Sequence, residues 1–297
     1  MRNADAAMYR AKERGRNGIE FYTEDMTVRA LAKVTMIANL KRALVNDEFE
    51  VYYQAQYNID DRELIGLEAL VRWNHPELGL ISPDQFLPAA EESGLIVALD
   101  RWVMRTALGQ IQQWRAQEVP APRVSLNLTM QQIDQEGFLE FLTELIEQTG
   151  CRKDAIGFEI TEGQLMTNPE RTIELLRVIH DLGIEIAIDD FGTGHSSLAY
   201  LKKFPVDTIK IDMEFITGLP FDEDDVSIVR TIIALARNMG IDVLAEGVET
   251  EAQFNFLLDA GCSLVQGYLL SRPQPASLVF AAAWPVVSQS SSAAESS

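Results

Sequence analysis

Seven short apolar segments of this chain each place a carboxylate, amide or ammonium near their end: Glu68, Asn127, Glu159, the pair Asp189 and Asp190, Lys210, Glu246 and Gln266. Polar groups so far apart in sequence meet if their strands run parallel around one axis, because a barrel collects inward-pointing residues at the carboxyl ends of its strands. Four or five carboxylates gathered there would repel one another. Divalent cations relieve that repulsion, and an all-oxygen donor set suits magnesium or manganese rather than a soft metal. Glu68 and Arg72 stand four residues apart, so on a strand they share a face and set a metal-binding carboxylate beside a guanidinium that matches a phosphate oxygen. A buried salt bridge is the plainer alternative for that pair. Asp189 and Asp190 are adjacent and would face opposite ways on a regular strand. The Phe191-Gly192-Thr193-Gly194 turn after them is expected to bend the second one inward, and two converging carboxylates suit a bridged two-metal centre.

The segments that must position these groups show the two-residue alternation of strands. Leu126 and Leu128 stand opposite Asn127, Phe158 and Ile160 opposite Glu159, Ile186 and Ile188 opposite Asp189, and Ile209 and Ile211 opposite Lys210. Strands are expected at Phe49 to Ile59 and Leu64 to Trp73, with a gap between them too short for a crossover helix, so these two form an antiparallel hairpin. Six more follow at Arg123 to Thr129, Ala155 to Thr161, Glu185 to Phe191, Val206 to Asp212, Asp242 to Val248 and Leu264 to Leu270. Helical patterns separate them, around Pro83 to Ser93, Ile96 to Gln117, Gln131 to Gln148 and Pro169 to Leu182 among others. Alternating elements at this spacing predict right-handed parallel crossovers, and eight strands close into a modified (β/α)8, or TIM, barrel of class α/β whose first hairpin is antiparallel. An open doubly wound sheet is the alternative, but its site would lie at one switch point rather than draw on nearly every strand.

Composition bounds the partners. The chain has 297 residues, of which 47% are hydrophobic and 24% charged, enough to bury a full core. A formal charge of −20 argues against binding a nucleic-acid polymer, which rests on a basic surface. A small anionic ligand is compatible with it if metals and local cations such as Arg72, Lys210 and the Lys202-Lys203 pair neutralise the contact. The two cysteines and three histidines have no zinc-ligand spacing. No apolar run reaches the length of a membrane span and the amino terminus is not signal-like, so a cytoplasmic location is expected. Residues 281–297, rich in Ser and Ala, read as a disordered tail.

Glu68-Ala69-Leu70-Val71-Arg72-Trp73, Asp189-Asp190-Phe191-Gly192-Thr193-Gly194, Lys210-Ile211-Asp212, Ala245-Glu246-Gly247-Val248-Glu249 and Gln266-Gly267-Tyr268, in that order, closely resemble the EAL family of cyclic di-GMP phosphodiesterases, over about Leu40 to Pro273. The resemblance implies hydrolysis of cyclic di-GMP to linear pGpG with two Mg²⁺ or Mn²⁺ ions. It implies that Glu68, Asn127, Glu159 and Asp189 hold one metal and that Asp189 bridges to a second near Asp190 and Glu246. Lys210 would orient the attacking water, with Glu246 assisting as base and Glu68 counted among the catalytic residues, while Gln54, Arg72 and Gln266 contact the substrate. Glu162, just past the strand that carries Glu159, is expected to anchor the Gly192 to Ser197 loop rather than to serve as an exposed capping acid. Two positions depart from the family pattern: Ala55 stands where Pro is usual, and His195 where Tyr is usual.

The residues before the barrel resemble a second family. Asn3 to Lys12 and Gly15-Arg16-Asn17 are similar to the last helix of a GGDEF domain, so residues 1–23 read as the remnant of such a domain, without its cyclase signature. Residues 24–45 read as a connector helix and 46–280 as the barrel. Upstream GGDEF and sensory modules are then expected in a longer, membrane-anchored or soluble parent, and homodimerisation is left open. The rival readings are a catalytically weak or inactive cyclic di-GMP receptor module and an enolase-like metal enzyme. The first would normally have lost ligands, and the second does not account for Asn127 or the paired aspartates.

Overall fold

The computed structural model describes residues 24–119, 122–194 and 198–280. The segment resembling a GGDEF remnant, His195 and the expected tail lie outside the described residues. In chain order the elements are helix α1 (Glu24–Ala43), strands β1 (Phe49–Asn58), β2 (Leu64–His75) and β3 (Gly79–Ile81), and helices α2 (Pro83–Ser93) and α3 (Ile96–Ala116). Strand β4 (Arg123–Asn127) leads to helices α4 (Met130–Ile133) and α5 (Phe138–Thr149), and β5 (Ile156–Thr161) to α6 (Glu162–Leu165) and α7 (Pro169–Asp181). Then come β6 (Glu185–Phe191), α8 (Leu198–Leu201), β7 (Thr208–Ile211), α9 (Met213–Thr217), α10 (Glu223–Met239), β8 (Asp242–Ala245), α11 (Glu251–Ala260), β9 (Leu264–Val265) and β10 (Gln274–Pro275). No described helix is long and apolar enough to cross a membrane.

Two compact units make up the fold. The first comprises the described residues up to Glu50 together with Arg72–Leu99. Its core is aromatic: Trp73 packs against Phe49 and Phe86 with ring centroids 5.6 Å away in each case. Glu48 accepts hydrogen bonds from the Trp73 indole at 3.0 Å and from Arg42 Nε at 3.1 Å, so a carboxylate satisfies the one polar atom that the indole buries. Lys33 pairs with Glu92 between α1 and α2. Strand β3 pairs antiparallel with the end of β2 through Trp73 and Ile81. Pro83 opens α2, where a missing N–H costs nothing.

The second unit comprises Val51–Val71 and the chain from Asp100 onward, and it contains the barrel. Around the sheet the strands run β1, β9, β8, β7, β6, β5, β4, β2, and pairing of β1 with β2 closes the ring. The neighbours from β2 through β9 are parallel, whereas β1 is antiparallel to β9 and therefore to β2 as well. The core lies between strands and helices. Phe158, Ile160, Ile186, Ile188, Ile209 and Ile211 point outward from the barrel and are buried with Leu142, Leu176, Ile179 and Val229 of the surrounding helices. Each such side chain contributes about 1.5–3 kcal/mol on leaving water. Asp222 caps α10 through the Asp224 and Asp225 N–H groups, and Thr250 and Gln253 form a reciprocal capping box on α11.

Several boundaries differ from those expected. The strands anticipated to reach Thr129, Asp212, Val248 and Leu270 end at Asn127, Ile211, Ala245 and Val265, because beyond these points the backbone turns into loops joined by isolated hydrogen bonds. The single helix expected from Gln131 to Gln148 is two, α4 and α5, separated by a turn at Gly137, whose φ is 79°. Strands β3 and β10 add to the eight of the barrel.

Candidate active site at the barrel mouth

Inward alternation delivers most of the polar series to one place. Asn127 of β4 is level with Glu159 of β5, and the Asn127 amide donates to Glu68 Oε1 of β2 at 3.1 Å. Lys210 rises from β7 into the centre. Its ammonium touches Glu159, lies 2.7 Å from Glu246, 3.2 Å from Asp189 and 3.8 Å from Glu68, and the side chain is 1% exposed. One cation therefore faces four carboxylates in a place with little water to screen them, where Coulomb terms are large. Burial alone would lower the Lys210 pKa, but Asp189, Glu159, Glu246 and Glu68 hold it well above the ordinary value. The carboxylates bear the excess negative charge. Burial pushes Glu159 up to about 8, with Glu68 and Asp189 adding to the rise against the pull of Lys210, and it lifts Glu246 well above the usual range.

The two adjacent aspartates are resolved by a bulge. Ile188 pairs with Ile209 and Phe191 with Ile211, so Asp189 and Asp190 together oppose Lys210 alone. Such an extra residue bends a strand and re-aims its side chains. Asp190 takes the left-handed conformation with φ 54°, which aspartate tolerates better than most residues, and its backbone N–H donates to Asp189 Oδ1 at 3.0 Å. The re-aiming expected from the Phe191–Gly194 turn thus happens inside the strand, before the turn begins. Burial, Asp189 and a hydrogen bond with Asp212 raise Asp190 to about 6. Glu162, expected as loop anchor, is buried at the start of α6 and accepts the Gly192 N–H on Oε2 at 2.8 Å.

Gln54 and Gln266 lie within the cluster rather than at its rim. The Gln266 amide donates to Glu68 Oε2 at 2.6 Å and to Gln54 Oε1 at 3.1 Å, and Gln54 donates to the Ser271 carbonyl at 3.1 Å. The loops that carry Glu246 and Gln266 are stitched together by Val248 N–H to Gln266 O at 3.1 Å and Leu269 N–H to Val248 O at 3.0 Å. Gly267 permits that approach, since a Cβ there would lie 2.1 Å from the Val248 carbonyl oxygen. Beside them a cavity of about 310 Å³ is lined by Gln54, Glu68, Asp189, Met213, Glu246, Glu249, Gln266 and Tyr268. Arg72, also expected to contact the substrate, belongs to the first unit.

The sequence assigns no role to three residues with a part in this geometry, although Asp212 stands within one of its motifs. Gln56 donates to Glu159 Oε1 at 3.4 Å, Asp212 bonds Asp190, and Gln253 ties the loop after Glu246 to α9 through Glu249 N–H, Thr250 N–H and the Ile216 carbonyl. Gln56 shares the inward face with Gln54, two residues earlier, and that spacing was the available signal. Among the described residues no three His, Cys, Asp or Glu side chains stand poised to hold a metal ion, for the Lys210 ammonium lies between the carboxylates. The donor chemistry nevertheless fits hard divalent cations. It offers carboxylate and amide oxygens only, with four carboxylates around a single ammonium.

Comparison with known proteins bears on this geometry. The EAL domain family model matches residues 37–273. MucR of Pseudomonas aeruginosa, named a bifunctional diguanylate cyclase/cyclic di-GMP phosphodiesterase, is 40% identical over 281 residues, covering 95% of this chain and 41% of its own length. The cyclic di-GMP phosphodiesterase PdeR of Escherichia coli is 38% identical over 276 residues, covering 93% of this chain and 42% of its own length. The chain thus spans about two fifths of these curated relatives. Among solved structures, the PaMucR phosphodiesterase in complex with c-di-GMP superposes with TM-score 0.80 at 38% identity, over 82% of this chain and 99% of that one. The FimX EAL domain of Pseudomonas aeruginosa bound to c-di-GMP gives 0.73 at 25% identity, over 80% and 96%.

Proposed function

The chain belongs to the EAL domain family, and from that premise we propose that it hydrolyses cyclic di-GMP to linear pGpG with two Mg²⁺ or Mn²⁺ ions. The observation that carries the reading is the set of four carboxylates from four different strands and loops around the buried Lys210 ammonium, beside a cavity of ligand size.

Glu68, Asn127, Glu159 and Asp189 would hold one ion, and Asp189 would bridge to the second beside Asp190 and Glu246. When bound, the two ions supply Lewis acidity to the phosphodiester and acidify the attacking water. The residues do the rest. Lys210 is donor-only and stays protonated, so it orients the oxygen of the attacking water and offsets charge that develops on the phosphate. Glu246, whose proton affinity burial raises, accepts the proton that the water loses. The new bond joins water oxygen to phosphorus, the bond to the ribose 3′ oxygen breaks, and that oxygen takes a proton from solvent. Gln54 and Gln266 fix the substrate-facing wall through their mutual hydrogen bond. Arg72 is the proposed phosphate contact, on the strength of its place four residues after Glu68 in the family motif. Glu162 holds the Gly192 turn, and with it the bulge that presents Asp189 and Asp190. Upstream GGDEF and sensory modules in a longer parent are proposed on the same resemblance.

Incubation with cyclic di-GMP and Mg²⁺ or Mn²⁺, followed by chromatography, tests the proposal. Accumulating pGpG supports it, whereas bound but intact cyclic di-GMP at every metal concentration replaces it with the receptor reading.

A further inference from the structure

We propose that Gln56 is a positioning residue for Glu159: its amide holds one carboxylate oxygen from inside the barrel and thereby fixes the angle at which the carboxylate is presented to a metal ion. The inference rests on the metal-binding reading of Glu159. A carboxylate accepts on both oxygens and turns about its last bond, so its usefulness as a ligand depends on what fixes that turn. Packing from below is incomplete here. Under Glu159 the barrel interior keeps a cavity of about 20 Å³, and two hydrogen bonds hold the carboxylate above it. Glu159 Oε2 meets Lys210, and Oε1 receives the Gln56 Nε2–H at 3.4 Å, with both side chains buried. The Lys210 contact is shared with three other carboxylates, whereas among the described residues the Gln56 amide donates to Glu159 alone.

The neighbouring strand makes room for this arrangement. A Cβ on Gly66 of β2 would lie 2.4 Å from Gln56 Oε1, so the amide can take its place only because position 66 has no side chain. Gln56 and Gly66 therefore act together. Hydrogen-bond partners of this kind typically govern metal affinity by about ten- to a hundredfold, although they never touch the ion.

The test is calorimetric titration of the full chain with Mn²⁺, without substrate, for wild type, Gln56→Leu, Gly66→Ala and the double variant. Gln56→Leu should weaken Mn²⁺ binding by about ten- to a hundredfold, and Gly66→Ala should weaken it in the same direction by displacing the amide. The two losses should not add, because each removes one and the same contact. At saturating Mn²⁺ the turnover of Gln56→Leu should return towards the wild-type value, which a general packing defect would not allow. Unchanged Mn²⁺ affinity in a folded Gln56→Leu overturns the inference, as does a Gly66→Ala loss that adds in full to it. If Gln56→Leu does not fold, Gly66→Ala alone decides, and unchanged Mn²⁺ affinity in it counts against the inference. Wild type that binds Mn²⁺ but yields no pGpG sinks the phosphodiesterase reading and leaves this one standing, whereas wild type that binds no Mn²⁺ removes both.

Discussion

Substitutions at the mouth are governed by the balance between one buried ammonium and the acids around it. Lys210→Ala leaves Glu159, Glu246 and Asp189 without their shared cation, and breaking a buried pair from one side costs about 3–5 kcal/mol. The metal-free variant should melt well below wild type, Mn²⁺ should recover part of the difference, and pGpG formation should stay abolished; differential scanning calorimetry with and without metal checks this. The same balance fixes a pH trend. Glu159 has its folded pKa raised from 4.5 to about 8, and Asp190 from 3.8 to about 6, so their contribution is fully present below the lower values and is lost as pH rises through the higher ones. Denaturant unfolding of metal-free protein should show stability falling between pH 4.5 and about 8, and saturating Mn²⁺ should remove most of that slope. A metal-free protein that grows more stable across this window would contradict the electrostatics described. Glu159 and Glu162, three residues apart, separate two roles. Glu159→Gln should lose metal affinity directly, while Glu162→Gln should lose turnover that excess Mg²⁺ or Mn²⁺ partly restores. Wild-type kinetics in Glu162→Gln at limiting metal would reject its anchoring of the Gly192 turn.

At the scale of elements, the strands present the site and their irregularities refine it. Alternation in the sequence located Asn127, Glu159, Asp189 and Lys210, because parallel strands buried on both faces leave few places for a polar residue other than the strand end. It could not locate the bulge at Asp189 and Asp190, since two-for-one pairing depends on hydrogen bonds to β7 that no local pattern encodes. Nor could it show that Glu246 and Gln266 lie just past β8 and β9 on loops bonded to each other, an arrangement set by the close approach at Gly267. The spacing of Gln56 from Gln54 puts it on the inward face, but its role depends on its partner across the barrel, Glu159, which no local pattern encodes. Gly267→Ala tests the loop pairing. Its Cβ would press on the Val248 carbonyl and push the Glu246 and Gln266 loops apart, so both turnover and melting temperature should fall. Retention of both would show that the close approach is dispensable.

For the whole molecule, the charge of −20 and the chemistry at the mouth point the same way. An acidic protein repels long polyanions, and a compact dinucleotide becomes acceptable only where metal ions and a local cation reverse the sign of the field. The resemblance in sequence and the superposition on the PaMucR phosphodiesterase agree on a barrel with one antiparallel strand. The proposed function then stands or falls on metal-dependent attack of water on a phosphodiester. The most direct measurement is mass spectrometry of the product formed from cyclic di-GMP in heavy-oxygen water, with Mn²⁺, with Ca²⁺ and with a chelator. The expected product is pGpG bearing a single heavy oxygen on its 5′-phosphate with Mn²⁺, and little or none with Ca²⁺, whose larger and looser coordination misplaces paired ions. Product lacking the label, or cyclic di-GMP recovered intact from every Mn²⁺ reaction, would contradict it.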